Sequence, residues 1–166
     1  ITVNLNDAQQ VTKDSGKDTL ENIEIVQATN EDDILIGDEN QNTLKGGKGN
    51  DRIEGRAEAD YLYGQEDDDK ILGGTGDDYI NGGSGNDTAL YTDATTTGVT
   101  VDLRDTGAQN VGGGLGSDTL VSIENVEGSD FKDELIGDSK DNSLIGNAGN
   151  DTLTGNGGSD YLYGNE

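Results

Sequence analysis

The chain has 166 residues, of which 29% are hydrophobic and 4% aromatic, with 27 Gly, no Cys, His, Pro, Met or Trp, and a formal net charge of -25. So little apolar material under so much negative charge predicts disorder for most sequences, and it argues against a nucleic-acid partner or an anionic membrane surface. Without His or Cys, neither Ser-His-Asp nor Cys-His catalysis nor a zinc site of the usual N/S kind can be built.

In chain order, Ile1 to Leu5 (ITVNL) alternates apolar and polar residues and predicts a half-buried strand. A start at Ile1 rather than Met reads as a fragment of a longer protein, and no signal peptide or membrane-spanning segment is visible. Asp7 to Lys13 reads as a polar connection, and Ser15 to Leu20 (SGKDTL) as a partial repeat. The stretch ENIEIVQ, with Ile23, Ile25 and Val26, is expected to interrupt a periodicity that Ala28 to Ile36 restores.

From Gly37 to Leu90 the chain cuts into six nine-residue lines: GDENQNTLK, GGKGNDRIE, GRAEADYLY, GQEDDDKIL, GGTGDDYIN and GGSGNDTAL. Gly opens each line. The sixth place holds Asn42, Asp51, Asp60, Asp69, Asp78 and Asp87, and the eighth holds Leu44, Ile53, Leu62, Ile71, Ile80 and Ala89. Tyr91 to Gly98 is Thr-rich and reads as a connection. Val99 to Leu103 (VTVDL) is again an alternating strand, and Asp105 to Gly112 is polar and turn-rich. Gly113 to Val121 (GGLGSDTLV) is a full nonapeptide, interrupted by SIENVE. Four more lines follow from Gly128: GSDFKDELI, GDSKDNSLI, GNAGNDTLT and GNGGSDYLY. The second half copies the first at an offset of 100, so that Tyr61-Leu62-Tyr63-Gly64 lies over Tyr161-Leu162-Tyr163-Gly164. Two units are therefore expected, 1–90 and 91–166, each a strand, a connector and a roll, with the strand covering an open end.

Nine residues hold one tight turn and one short strand. Two lines make a coil, so each turn stacks on the turn eighteen residues away. This aligns Asp33, Asp51, Asp69 and Asp87 along one edge, and Asn42, Asp60 and Asp78 along the other. Asp51 would lie inside its column and Asp87 would close it. Carboxylates stacked at strand spacing, about 4.8 Å, repel one another and call for a cation. The donors are all oxygen, from Asp side chains and Gly-rich turn carbonyls, which suits calcium better than magnesium.

The candidate ligands are the sixth-place acids and the first-, second- and fourth-place glycines. Gly46, Gly47 and Gly49 precede Asp51; Gly73, Gly74 and Gly76 precede Asp78; Gly82, Gly83 and Gly85 precede Asp87. Gly113, Gly114 and Gly116 precede Asp118, Gly146 and Gly149 precede Asp151, and Gly155 and Gly158 precede Asp160. Asp33, Asp60, Asp69 and Asp133 complete the set. Asp51/Asp69, Asp69/Asp87, Asp60/Asp78 and Asp133/Asp151 are the strong pairs. Asn42 and Asn142 lack the charge, Lys132 and Lys140 would weaken the sites beside them, and Glu58 in a fourth place puts its turn in doubt. Tyr61, Tyr63, Tyr161 and Tyr163 should point outwards as strand surface.

The lines GGKGNDRIE, GGTGDDYIN, GGSGNDTAL and GGLGSDTLV resemble the glycine- and aspartate-rich nonapeptide of RTX (repeats-in-toxin) proteins, G-G-x-G-x-D-x-U-x with U apolar. That resemblance implies an all-β parallel β-roll (a β-solenoid), several bound Ca2+ ions, and a secreted, extracellular or cell-surface bacterial protein handled by a type I secretion machinery. It implies no active site within these residues. The parent would be a toxin, an enzyme, or an adhesin with a glycan or cell-surface partner.

Overall fold

The computed structural model describes residues 2–5, 10–12, 16–18 and 23–165, and among these there is no helix. The first half gives β1 (Thr2–Asn4), β2 (Gln10–Thr12), β3 (Gly16–Asp18), β4 (Ile25–Gln27), β5 (Ile34–Ile36), β6 (Thr43–Gly47), β7 (Arg52–Ala57), β8 (Tyr61–Glu66), β9 (Lys70–Thr75), β10 (Tyr79–Ser84) and β11 (Thr88–Leu90). The second gives β12 (Thr100–Asp102), β13 (Ala108–Asn110), β14 (Ser117–Val121), β15 (Asn125–Glu127), β16 (Glu134–Ile136), β17 (Ser143–Ile145), β18 (Thr152–Thr154) and β19 (Tyr161–Tyr163).

Successive strands go to opposite faces. β5, β7, β9 and β11 pair in parallel on one face, and β4, β6, β8 and β10 on the other. Arg52 lies opposite Lys70 and Tyr61 opposite Tyr79, so a coil is two nonapeptides and the fold is a parallel β-roll. Period-2 alternation then decides what each residue meets. The seventh and ninth places mostly face out, and the eighth faces in: Leu35, Leu44, Ile53, Leu62, Ile71 and Ile80 are fully buried. Tyr61 is half exposed on the outer surface beside Tyr79 and Tyr63.

The roll continues across the duplication. β14 adds to β10, with Leu120 opposite Ile80, and β15 adds to β11, with Val126 opposite Ala89. One eight-stranded sheet thereby runs from β1 to β19. The opposite face changes sheets. A six-stranded sheet, β4-β6-β8-β10-β14-β13, ends in the antiparallel β13, and a three-stranded sheet, β12-β16-β18, takes over. The two alternating segments play the same part: β1 starts a sheet on β5, and β12 starts one on β16. Buried apolar side chains form one cluster from Val3 to Leu144.

Three expectations change. Within ENIEIVQ and SIENVE, β4 and β15 belong to the roll rather than interrupting it, because Val26 pairs with Leu44 and Val126 with Leu144 in the eighth-place register. The phase break lies just before, where Leu120 and Val126 are six residues apart instead of nine. Asp105 to Gly112 contains β13. Of the partial repeat at Ser15 to Leu20, the described residues form β3, antiparallel to β2, while Ser15, Thr19 and Leu20 lie outside the described residues, as do Asp7 and Lys13.

The last coil is the most open, with Leu162 45% exposed against 0% for Leu62. Leu62→Ala should therefore cost about 2–5 kcal/mol and Leu162→Ala under about 1 kcal/mol, read from urea unfolding in saturating calcium. Equal losses at the two positions would contradict this single-file core.

Candidate metal centre

The turn edges are held by the sixth-place side chains. On the first edge the amide of Asp33 donates to Asp51 Oδ1 (2.8 Å), that of Asp51 to Asp69 Oδ1 (2.8 Å), and that of Asp69 to Asp87 Oδ1 (2.9 Å). On the second edge the amide of Asn42 donates to Asp60 Oδ1, that of Asp60 to Asp78 Oδ1, and that of Asp78 to Asp118 Oδ1. On the third, formed with β16 and β18, the amide of Asp133 donates to Asp151 Oδ1. Each carboxylate thus ties its coil to a neighbouring one with one oxygen.

The other oxygen is left over. Oδ2 of Asp51, Asp60, Asp69, Asp78, Asp87, Asp118 and Asp151 is buried with no hydrogen-bond partner. A buried anionic oxygen without a donor is costly, and the rows on the first two edges, Asp51, Asp69 and Asp87 and then Asp60, Asp78 and Asp118 with the Tyr91 hydroxyl beside Asp118, call for a positive partner. The first-place glycines make the space. A Cβ at Gly46, Gly73, Gly82, Gly146 or Gly155 would collide with Oδ2 of Asp51, Asp78, Asp87, Asp151 or Asp160. At Gly64 it would also meet the carbonyl oxygen of Gly82 at 2.6 Å. Carboxylate and carbonyl oxygens therefore converge where a side chain is excluded.

Second- and fourth-place residues let the turns stack. Gly74 and Gly76, with φ of 101° and 142°, lie on the carbonyls of Arg56 and Glu58, where a Cβ has no room. Gly47, Gly49, Gly83, Gly85, Gly149 and Gly158 sit in the same way on the turn eighteen residues earlier. The doubtful turns keep this backbone: Arg56 has φ 91°, Glu58 65°, Gln65 92° and Asp67 77°. Their neighbours in the stack hold the positive φ that each would resist alone.

Burial pushes the carboxyl groups up. Asp60, Asp69 and Asp118 rise to about 7, and Asp51, Asp78 and Asp87 to about 6, from 3.8. The amide donors oppose this rise and neighbouring carboxylates add to it. Among the described residues no three acidic side chains form a group that could hold a metal by themselves. The carboxylates come one per turn, so a bound ion would draw on successive coils and on turn carbonyls. That all-oxygen, flexible, anionic donor set fits calcium.

Elsewhere the protein supplies the donor itself. Both the amide and the hydroxyl of Thr29 donate to Asp33 Oδ2 (2.7 Å each). The amide of Ser129 donates to Asp133 Oδ2, and its hydroxyl and the amide of Val99 donate to Asp133 Oδ1. Asp133, read as a strong ligand, thus accepts protein donors on both oxygens, from a Ser in second place. Asn42 and Asn142 accept from the amides of Asp38 and Asp138 and donate through their own nitrogens. The side-chain nitrogens of Asn147 and Asn156 donate to the carbonyls of Gly128 and Gly137, which occupies two more carbonyl oxygens. In the line Gly113 to Val121, Gly116 and Asp118 join the column at Gly76 and Asp78, whereas Gly113 packs on Ala94 and Val99 and Gly114 faces Thr96. Asp87 does not close its edge: its amide donates to Glu124 Oε2 at 3.2 Å. Glu124 occupies the sixth place before β15, a position the Asp-based pattern overlooked.

Fold and turn edges together define a repeat solenoid, a parallel β-roll whose stacked turns carry rows of buried carboxylate oxygens. The family model for the RTX calcium-binding nonapeptide repeat (4 copies) matches residues 27–62, 54–89 and 127–166. The chain belongs to this family of calcium-binding repeat modules. No curated protein matches it.

The raised carboxyl groups fix a pH dependence. Between 3.8 and about 7 the metal-free folded state binds more protons than the unfolded chain, so its stability falls as pH rises through that window. In calcium-free buffer, circular dichroism should show more β structure at pH 5 than at pH 7.5; the reverse order would overturn the burial of these groups. Gly64→Ala, which places a methyl group against Asp69, should cost about 1–3 kcal/mol and raise the calcium concentration needed for folding, as a calcium titration would show.

Proposed function

We propose that the chain is a structural module that folds on calcium binding, within a larger bacterial protein exported by a type I system. The carrying observation is the set of seven buried, unpartnered Asp oxygens on the turn edges. Calcium, when bound, supplies positive charge and accepts six to eight oxygens in loose geometry. The chain's own residues do the rest. Sixth-place carboxylates set the coil spacing, first-place glycines keep the ligand space clear, and eighth-place side chains form a core too thin to hold the coils together against that charge.

In this reading the -25 charge keeps the chain extended wherever calcium is scarce, as passage through an export channel requires, and the roll forms outside the cell. The two units, 1–90 and 91–166, act as one continuous roll, an arrangement supported by the sheet that crosses between them. Such a module carries no chemistry of its own, and the activity of the parent protein lies in other residues.

At pH 7.5 in excess chelator the circular dichroism spectrum should be that of a largely unfolded chain. It should turn β-rich at about 10⁻⁴–10⁻³ M calcium, the range of extracellular modules. Magnesium at the same concentrations should leave it unfolded. A β-rich spectrum in chelator at this pH, or equal folding with magnesium, would refute the reading.

A further inference from the structure

On the first edge the sixth places read Asp33, Asp51, Asp69, Asp87, Glu124, Asn142 and Asp160 in stacking order. Glu124 differs from the three aspartates before it. Like them, it accepts the amide of the preceding coil, from Asp87 to Oε2 at 3.2 Å. Unlike them, it has a donor for its second oxygen: Lys140 Nζ lies 2.9 Å from Glu124 Oε1. The side chain of Glu124 is 13% exposed and that of Lys140 59%, so the ammonium reaches in from the surface to a mostly buried carboxylate.

The backbone holds this contact in place. Lys140 is in the fourth place of the line Gly137 to Ile145, in the turn that stacks on the Glu124 coil, and its amide donates to Asp138 Oδ1 at 2.8 Å. In the same turn Asn142 donates to the carbonyl oxygen of Glu124 at 2.9 Å. An acid that would otherwise need a metal, and a carbonyl that would help to bind one, are both occupied by side chains of the next coil. The turn itself is shorter than the regular ones, with Leu120 and Val126 six residues apart, and Ser122, with φ 51°, stands where they have the first-place glycine. On its Asp87 side, the carbonyl oxygen of Ser122 stands to Gly82 as that of Gly82 stands to Gly64. Asp87, one coil earlier, keeps its unpartnered Oδ2, so Lys140 serves Glu124 and not Asp87.

We propose that Lys140 is a protein-borne cation that takes the place of a calcium ion at Glu124, which makes the turn entering β15 independent of calcium. The proposal rests on the calcium-binding reading above. Its consequence is an ion-free turn at Glu124 beside the ion-requiring Asp87 and Asp118, across which the eight-stranded sheet continues from β11 to β15. The site it defines, Glu124 with the turn carbonyls around it, becomes a calcium site when the ammonium is removed.

Calcium bound per chain at saturation, measured by equilibrium dialysis and atomic emission, tests this on the full chain. Lys140→Gln should bind one more calcium ion than the wild type, and its half-folding calcium concentration should rise about two- to fivefold, the size expected for a half-exposed ion pair. Glu124→Gln with Lys140→Gln should return to the wild-type count, and Lys45→Gln, on the outer strand surface, should keep it. An unchanged count in Lys140→Gln overturns the proposal. Should Lys140→Gln not fold at any calcium concentration, the double variant decides: recovery of folding supports the charge pair, and no recovery overturns it. A wild type that binds no calcium would instead sink the calcium reading and be recognised as that.

Discussion

Everything in this roll depends on one carboxylate doing two things. At each regular sixth place, one Asp oxygen accepts an amide from the coil eighteen residues earlier, and the other is buried with nothing to bind. The first interaction sets the height of a coil. The second makes that height unfavourable unless positive charge enters the turn. Burial and neighbouring charges both act against ionisation, and the backbone amides only partly offset them. Stacking and the unpartnered buried charge are therefore a single property, and under the proposed calcium reading the fold is coupled to the ion through the residues that define its geometry.

The core explains why this coupling is needed. A strand of three to six residues with alternating sides contributes about one fully buried apolar residue per nonapeptide, and the interior is a file of Leu, Ile, Val and Ala, joined by Tyr91 where the chain leaves the first block. A globular domain of this length would bury side chains in several layers. Here the ordering of nine residues, including glycines that lose more freedom than any other residue, is set against one Leu or Ile and a few ladder hydrogen bonds. The turns, not the core, carry the margin.

The duplication shows how the repeat is varied without being interrupted. Where the chain leaves the roll after Leu90, it comes back to pair β14 on β10 and β15 on β11, with register offsets of 40 and 37 residues in place of 18. Near this splice, and where a block begins, polar side chains take over the part of the ion: Thr29 for Asp33, Ser129 for Asp133 and Lys140 for Glu124. Thr29 and Ser129 precede their acids by four residues in the same turn, while Lys140 reaches Glu124 from the next coil, so a single turn residue suffices to satisfy an acid that would otherwise lack a donor.

The sequence by itself determined the eighteen-residue coil, the inward eighth place and the two main acid columns, while the parallel roll was implied by its resemblance to the RTX nonapeptide. The coil, the eighth place and the columns follow from a strict local period, and a period survives without knowledge of the rest of the fold. Its reading failed where contacts cross between lines. Val26 and Val126 looked like interruptions because the phase break lies in the connection before Val126, and only pairing with Leu44 and Leu144 shows that both keep register. Glu58 looked unfit for its turn because a lone residue resists positive φ, whereas stacked neighbours impose it. Glu124 was missed because its chain neighbours do not form a full nonapeptide; it is a column member only because Asp87 donates to it. Which acids keep an unpartnered oxygen, and which are answered by Thr29, Ser129 or Lys140, was decided by tertiary structure alone. Hydrogen bonds to a side chain's second oxygen depend on positions in three dimensions that no repeat pattern encodes.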